Sequence, residues 1–304
     1  MQDLYEQYKV LLFTLAYQLT GSVSDAEDAV QDVFLKIYDV KPEQLAEPKA
    51  YLCKMVINRC RDLLKSARKQ REQYFGEWLP EPISTSSDEA FESAVRGELL
   101  SYAILVMLEK LSPAERVVFV LHEALGFEYH EIAEIVSKSV ENCRKLKSRA
   151  KGKLGIAPEE PIHPESASEE WARRFLSALE QGNVDRVVSM LAKDVVLFSD
   201  GGGKATAAVY PIETRDLVVR FLLGLFRKAS LYEGDVHIKM TDVNGQTGFV
   251  VCSGKRIETV VLMNIKKNAI HNLYFVRNPD KLRYINQKPV NLHLVSNQRD
   301  NEKS

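Results

Sequence analysis

A chain of 304 residues is longer than one ordinary domain, and two or three domains are expected. Hydrophobic residues make up 45%, enough for packed cores, and a net charge of −1 excludes a uniformly polycationic nucleic-acid binder, so any affinity for phosphates must sit in local patches. The four cysteines (53, 60, 143, 252) form no CxxC pair and no histidine stands at zinc-ligand spacing, so no metal or cofactor is expected, and the thiols read as reduced and buried. The most apolar run, Leu217 to Phe226, is short and contains Arg220. Acids and polar residues interrupt the first 30 positions. No membrane span and no leader are expected, and a cytoplasmic protein is the reading.

Leu4, Tyr8, Leu11, Leu12, Leu15 and Leu19 recur at helical spacing, and Thr20-Gly21-Ser22 breaks that helix. Ser24-Asp25-Ala26-Glu27 has the pattern of a capping box and predicts a second helix to about Tyr38. Its packed face is Ala26, Val30, Val33, Phe34 and Ile37. Its outer face carries Asp25, Asp28, Gln31, Asp32 and Leu35. An acidic face holding an exposed leucine suits a basic partner with an apolar spot; a merely solvated face is the plainer reading. Pro42 and Pro48 mark a connector. Lys49 to about Arg71 then reads as one long helix, with Leu52, Met55, Val56, Cys60, Leu63 and Ala67 packed. Lys54, Asn58, Lys65 and Lys69 form the opposite ridge, flanked by Arg61 and Arg68. Eight Lys/Arg stand there against two acids. Tyr51 is expected to pack rather than stack on a base.

Residues 74–95 form a linker, with Trp78-Leu79-Pro80-Glu81-Pro82 followed by the serine cluster from Ser84. Prolines and serines predict an extended, mobile connection, but a tryptophan beside rigid prolines predicts docking somewhere. A helix is expected from about Phe91 to Lys110. Ser112-Pro113-Ala114-Glu115 is a helix start, with serine at the cap, proline at the first position and glutamate reaching back. Gly126 ends that helix. A short helix carrying Glu131 to Val136, the turn Ser137-Lys138-Ser139 and a third helix from Val140 to about Leu154 describe a helix-turn-helix. On the third helix Val140, Cys143, Leu146, Ala150 and Leu154 share an apolar sector. Glu141, Lys145, Ser148 and Arg149 lie opposite, with Asn142 and Arg144 on the flanks and Ser139 capping. Seven Lys/Arg against one acid in 138–153 point to phosphates, and Arg, Asn and Glu near a helix start can read base edges. Lys147, nearer the packed face, reads as a snorkelling stem.

Pro158, Pro161 and Pro164 mark a boundary. A domain over 165–282 opens with helices at Glu169–Gln181 and Val184–Leu191. A strand at Val195–Ser199, the loop Asp200-Gly201-Gly202-Gly203-Lys204 and a helix at Thr214–Lys228 follow. Strands are expected at 234–241, 247–255, 256–265 and 269–277, with turns at Asn244-Gly245 and Lys267-Asn268. Helices followed by an antiparallel meander predict α+β. DGGGK lacks the phosphate-loop pattern, so its glycines are expected to allow a tight turn or a close approach. The polar tail 283–304 is expected to fray.

The acidic capped helix, the run AYLCKMVINRCRDLL and the helix-turn-helix together resemble the sigma-70 family of bacterial sigma factors, in the compact extracytoplasmic-function group. The resemblance covers residues 4–73 and about 96–154. The element order of 165–282 resembles the SnoaL-like, cone-shaped fold. WLPEP at 78–82, DGGGK at 200–204 and Asn278-Pro279-Asp280-Lys281-Leu282 resemble the subgroup often called SigJ-like, in which such a domain is fused behind the DNA-binding domains. The implied fold is multi-domain, two all-α domains followed by an α+β domain, with boundaries at 1–73, 96–156 and 165–282. The resemblance implies promoter recognition without covalent chemistry. Asp25, Asp28, Gln31, Asp32 and Leu35 would meet core RNA polymerase. Lys54, Asn58, Arg59 and Arg61 would meet the −10 element. Ser139, Glu141, Asn142, Arg144, Lys145 and Arg149 would meet the −35 element. The three strings would form a regulatory interdomain contact in place of a separate anti-sigma protein. A small ligand in the SnoaL-like pocket is a further implied partner. The competing readings are a one-component DNA-binding regulator with a ligand domain, and an isomerase-like enzyme using Asp200, His237, Arg256, Glu258, His271 or Tyr274. A second basic helix behind an acidic one argues against the simple regulator.

Overall fold

Helices α1 (Gln2–Thr20), α2 (Val23–Lys36) and α3 (Pro48–Glu72) pack around Leu12, Phe13, Leu15, Val30, Phe34 and Leu52, all essentially without exposure. The structure is a computed structural model, and it describes residues 2–38, 40, 47–72, 74–85, 95, 97–156, 162, 169–231 and 236–286. Pro42, the prolines of 158–164 and the tail from 287 fall outside these, as do the side chains of Ala67, Arg68, Lys69 and Arg71. The cap of α2 differs from expectation. Ser22, not Ser24, accepts the Asp25 amide, at 3.2 Å. The reason is remote in sequence: Glu81 accepts the Val23 amide at 2.7 Å and the Ser22 hydroxyl at 3.1 Å, which fixes the helix start two residues earlier. Tyr51 does not pack; it is 44% exposed.

The helix expected over 91–110 is interrupted: Val95, Gly97 and Glu98 are helical, and Leu99 to Ser101 are not. Gln18 accepts the Leu100 amide at 3.1 Å and donates to the Glu98 carbonyl at 3.2 Å, which holds Leu99 and Leu100 out of helical geometry. Ser101 then caps α4 (Tyr102–Met107), which tightens into a 3-10 turn at Leu108–Lys110. Helix α5 (Pro113–Phe119) opens with a complete capping box between Ser112 and Glu115 and continues as a π-helical turn, Val120–Ala124. Gly126, at φ +64°, turns the chain into α6 (Tyr129–Val136). Ser137 takes left-handed geometry, φ +53°, and Ser139 caps α7 (Val140–Leu154) through the Asn142 amide at 3.2 Å.

The third domain consists of α8 (Glu169–Glu180), α9 (Val184–Ser189), β1 (Leu191–Asp200), β2 (Ile212–Glu213), α10 (Arg215–Leu231), β3 (Val236–Val243), β4 (Gln246–Ser253), β5 (Arg256–Lys266) and β6 (Ala269–Val276). The strand order is β2-β1-β6-β5-β4-β3, antiparallel except for the β1–β6 pair. Both expected turns form, with Asn244, Gly245, Lys267 and Asn268 at positive φ as tight hairpins require. Strand β2, too short to show a period, was not foreseen.

The apolar runs of β5 and β6 are buried on both faces. Val261, Met263, Leu273 and Phe275 pack toward α8 and α10, in the domain's own core. Val260, Leu262, Tyr274 and Val276 point the other way and join the core of the two helical domains. Strand alternation thus splits one sheet between two cores, the pattern that a continuous apolar run predicts. Tyr274 sits edge-on to Tyr102 of α4, centroids 5.3 Å apart. The start of the tail also departs from expectation. Arg283–Asn286 form a helical turn, α11, and the Tyr284 hydroxyl donates to Glu27 of α2 at 3.2 Å.

Candidate functional site

Asp200 ends β1 with no exposure, and three donors converge on its carboxylate. The Tyr74 hydroxyl lies at 2.6 Å, the Leu79 amide at 2.9 Å and the Lys281 ammonium at 2.7 Å. Lys281, 5% exposed, donates also to the Leu79 carbonyl at 2.5 Å and lies 4.2 Å from the Trp78 ring centre. Asn278 donates to Tyr74 at 2.8 Å and its own amide donates to the Asp200 carbonyl at 2.9 Å. Burial, and then the neighbouring Asp200 carboxylate, push the Tyr74 hydroxyl far above its usual range, so it remains a donor. Gly202 and Gly203 have φ of +57° and +70°, and a Cβ on Gly202 would lie 2.3 Å from Asn278. The glycines therefore serve close approach. Lys204 and Asp280 pair at the rim, and Arg283 reaches Asp280 at 2.9 Å. Leu282 is buried beside them, and Pro279 is half-buried.

The linker is not a mobile spacer over the described residues. The Glu81 amide donates to the Gly21 carbonyl at 2.8 Å, the Tyr17 hydroxyl to the Glu81 carbonyl at 2.6 Å and the Tyr102 hydroxyl to the Pro80 carbonyl at 2.7 Å. Beyond Pro82, Ile83 exchanges two bonds with Asn244, and Ser84 bridges Val243 as an added edge strand on β3. Backbone pairing, which prolines at 80 and 82 leave possible at 83–85, overrides the mobility their composition suggests. Burial raises the Glu81 carboxyl, opposed by the Val23 amide, the Ser22 hydroxyl and the Lys281 charge. Tyr17, Gly21, Tyr74, Tyr102 and Asn244 were missed as site residues. Tyr74 adjoins the WLPEP string, and that proximity was the one signal available. Tyr17 hides inside an apolar helix.

The surface residues divide clearly. On α2, Asp28 and Leu35 are open, Leu35 at 59% exposure, and Asp25 and Gln31 are half-open. Asp32 lies 2.6 Å from Arg59, so both are engaged within the chain. On α3, Lys54 and Asn58 are exposed and Arg61 half-exposed, but Lys54 donates to Ser137 of the helix-turn at 3.0 Å. Lys49 faces Glu131 of α6 at 3.5 Å. On α7, Glu141, Asn142, Arg144, Lys145 and Arg149 are all exposed. Lys145 pairs with Glu141 at 2.6 Å, while Lys147 and Lys151 turn back to Glu123, at 2.7 and 3.3 Å. Burial pushes the Cys53 and Cys60 thiols up to about 12, which makes them inert.

Residues 4–70 match the family model of Sigma-70 region 2, and residues 101–154 match that of Sigma-70, region 4. The chain is 33% identical to the ECF RNA polymerase sigma factor SigJ of Mycobacterium tuberculosis (strain ATCC 25618 / H37Rv) over 290 residues, 91% of each chain. It belongs to the extracytoplasmic-function sigma factors. The crystal structure of Mycobacterium tuberculosis SigJ matches 93% of this sigma factor and 98% of that chain, with 32% identity and a TM-score of 0.74. A shorter match reaches the probable ECF sigma factor SigI of the same organism, 31% identical over 193 residues, 62% of this chain and 65% of that one. Regions 2 and 4 of this sigma factor are thus the first and second helical domains, followed by the α+β domain.

In that α+β domain, sheet and helices enclose a cavity of about 630 Å³. The six polar residues considered for an enzyme do not converge on it. Glu258 lines it, paired with Arg256 at 3.3 Å. Asp200 belongs to the interdomain cluster, Tyr274 faces the helical domains and His271 lies 3.5 Å from Asp194. His237 lines an adjoining recess with Arg220 and Arg227, which shares Leu179, Phe226, Val236 and Ile238 with the cavity. No described helix is long and apolar enough to cross a membrane.

Proposed function

We propose that this sigma factor directs core RNA polymerase to promoters through α3 at the −10 element and α7 at the −35 element, and that its third domain controls their relative placement. The exposed acids and Leu35 of α2 offer the surface for polymerase. Exposed Lys54 and Asn58, with Arg61 beside them, offer the −10 surface, and the open face of α7 offers the −35 surface. Arg59 and Asp32 act within the chain, holding α3 against α2. A small ligand in the third domain's cavity is the proposed signal. The observation that carries this reading is the Asp200 cluster, in which one buried carboxylate ties the linker between regions 2 and 4 to the third domain.

The test is transcription in vitro with sigma-free core polymerase and a promoter library. The full chain, a chain ending at residue 156, and the full chain with Trp78→Ala, Asp200→Ala or both are compared. Specific transcripts that require this protein support the promoter role. Promoter output that changes on removing the third domain, with strongly non-additive effects of the two substitutions, supports control through the junction. Equal output from both lengths together with full additivity would overturn the control.

A further inference from the structure

We propose that the cavity of the third domain binds an apolar small molecule bearing a single carboxylate, held by Arg277. This rests on the reading of that cavity as a ligand site. Its walls are mostly aromatic and aliphatic, with Phe175, Phe221, Phe226, Phe249 and Phe275 among them. At about 630 Å³ it matches the size of pockets that enclose ordinary small ligands. Charged lining groups are few: Lys228, exposed in the last turn of α10, Glu258, already paired with Arg256, and Arg277.

Arg277 is the anomaly. One terminal nitrogen donates to the Thr206 carbonyl, but Nε is buried and has no hydrogen-bond partner among the described residues. A guanidinium keeps its charge at all working pH, and a buried donor left unpaired is costly. A carboxylate offers two parallel acceptors that match the guanidinium edge, and the apolar walls accept the remainder of the molecule. An alcohol satisfies the volume and not the charge. An amine would have to choose Glu258, which already has a partner.

The site adjoins the interdomain cluster along the chain. The Arg277 amide donates to the Asp200 carbonyl at 2.7 Å, and Asn278, next in sequence, holds Tyr74. Ser199 and Thr206, on either side of the DGGGK loop, both line the cavity. A head group on the Nε edge of Arg277 sits beside the terminal nitrogen that holds the Thr206 carbonyl, and so bears on the loop whose Asp200 holds Leu79. Occupancy and interdomain docking are then linked, each altering the other by the same factor.

Calorimetric titration of the full chain with decanoate, decanol and decylamine, each below its micelle concentration, tests the assignment. Decanoate is expected to bind once per chain, more than about tenfold tighter than decanol. Arg277→Gln should bring decanoate to the decanol level and leave decanol unchanged. Leu225→Trp should abolish both, with Val251→Trp on β4 as the second blocking variant if the first does not fold. Equal affinity for decanoate and decanol would overturn the carboxylate assignment and leave the cavity a ligand site. A preference that survives Arg277→Gln would overturn the role of Arg277, and tightest binding of decylamine would overturn the charge. Binding that persists in the blocked variants, or none of any probe, would overturn the cavity reading itself.

Discussion

Asp200 lies where water does not reach, and its three donors come from two different parts of the chain. Lys281 carries the opposite charge and also satisfies the Leu79 carbonyl, so its loss strands two acceptors at once. Removing one partner of such a buried pair costs about 3–5 kcal/mol. Lys281→Met is expected to lose that much in urea unfolding of the full chain. Asp200→Asn with Lys281→Met should lose less than the two singles together, because the unpaired charge is gone. Glu115 gives a pH prediction. The hydrogen bond from Lys153, with those from Ser112, holds its carboxyl at about 2, against 4.5 ordinarily. A carboxyl lowered on folding contributes stability above its unfolded value and loses it as pH falls through the folded one. Melting temperature followed by circular dichroism should therefore fall between pH 4.5 and 2, and Lys153→Met should flatten part of that fall.

Helix α7 shows what a single element can reveal. Its apolar sector, its cap and its exposed basic face were all legible, because each is written within 15 residues at one period. Exposed Arg149 lies well along the helix, where phosphates are the expected neighbours, whereas Asn142 stands near its start. Arg149→Ala should weaken duplex binding evenly across sequences and reduce the salt slope by about 1. Asn142→Ala should instead change base preference, at a cost of about 1–3 kcal/mol, and a filter-binding series across salt and base substitutions separates the two. The start of α2 and the linker were misread for a shared reason. A local pattern pointed to Ser24, but the decision lay with Glu81, 59 residues from Ser22. Prolines and serines suggested motion, yet Ile83 and Ser84 find backbone partners in the β3–β4 hairpin, which no local window contains. The meeting of WLPEP, DGGGK and NPDKL was anticipated because three strings were each odd for their place. Tyr17 and Tyr102 were not, since a hydroxyl inside an apolar helix looks like one more core ring.

The two DNA-binding helical domains lie against each other, with Lys54 and Lys49 of α3 reaching Ser137 and Glu131. Exposed pairs of this kind are worth about 0–1 kcal/mol each, so they mark the arrangement rather than enforce it. Enforcement falls to the shared apolar core and the Asp200 cluster. Dyes placed at Tyr38 of α2 and Ser148 of α7 should move apart on binding core polymerase, read as a drop in energy transfer. In Lys281→Met part of that drop should be present before polymerase is added; an unchanged distance in both cases would show that promoter spacing is met without opening. The sheet that packs in two directions has one more implication. A restraint supplied by a separate protein weakens as cells dilute it and tightens as its dose rises. Under the proposed control the restraining face is part of the same polypeptide, so its local concentration is set by chain geometry. The balance between restrained and released molecules is then indifferent to how much of the protein a cell makes, and copy number sets only how many switches there are.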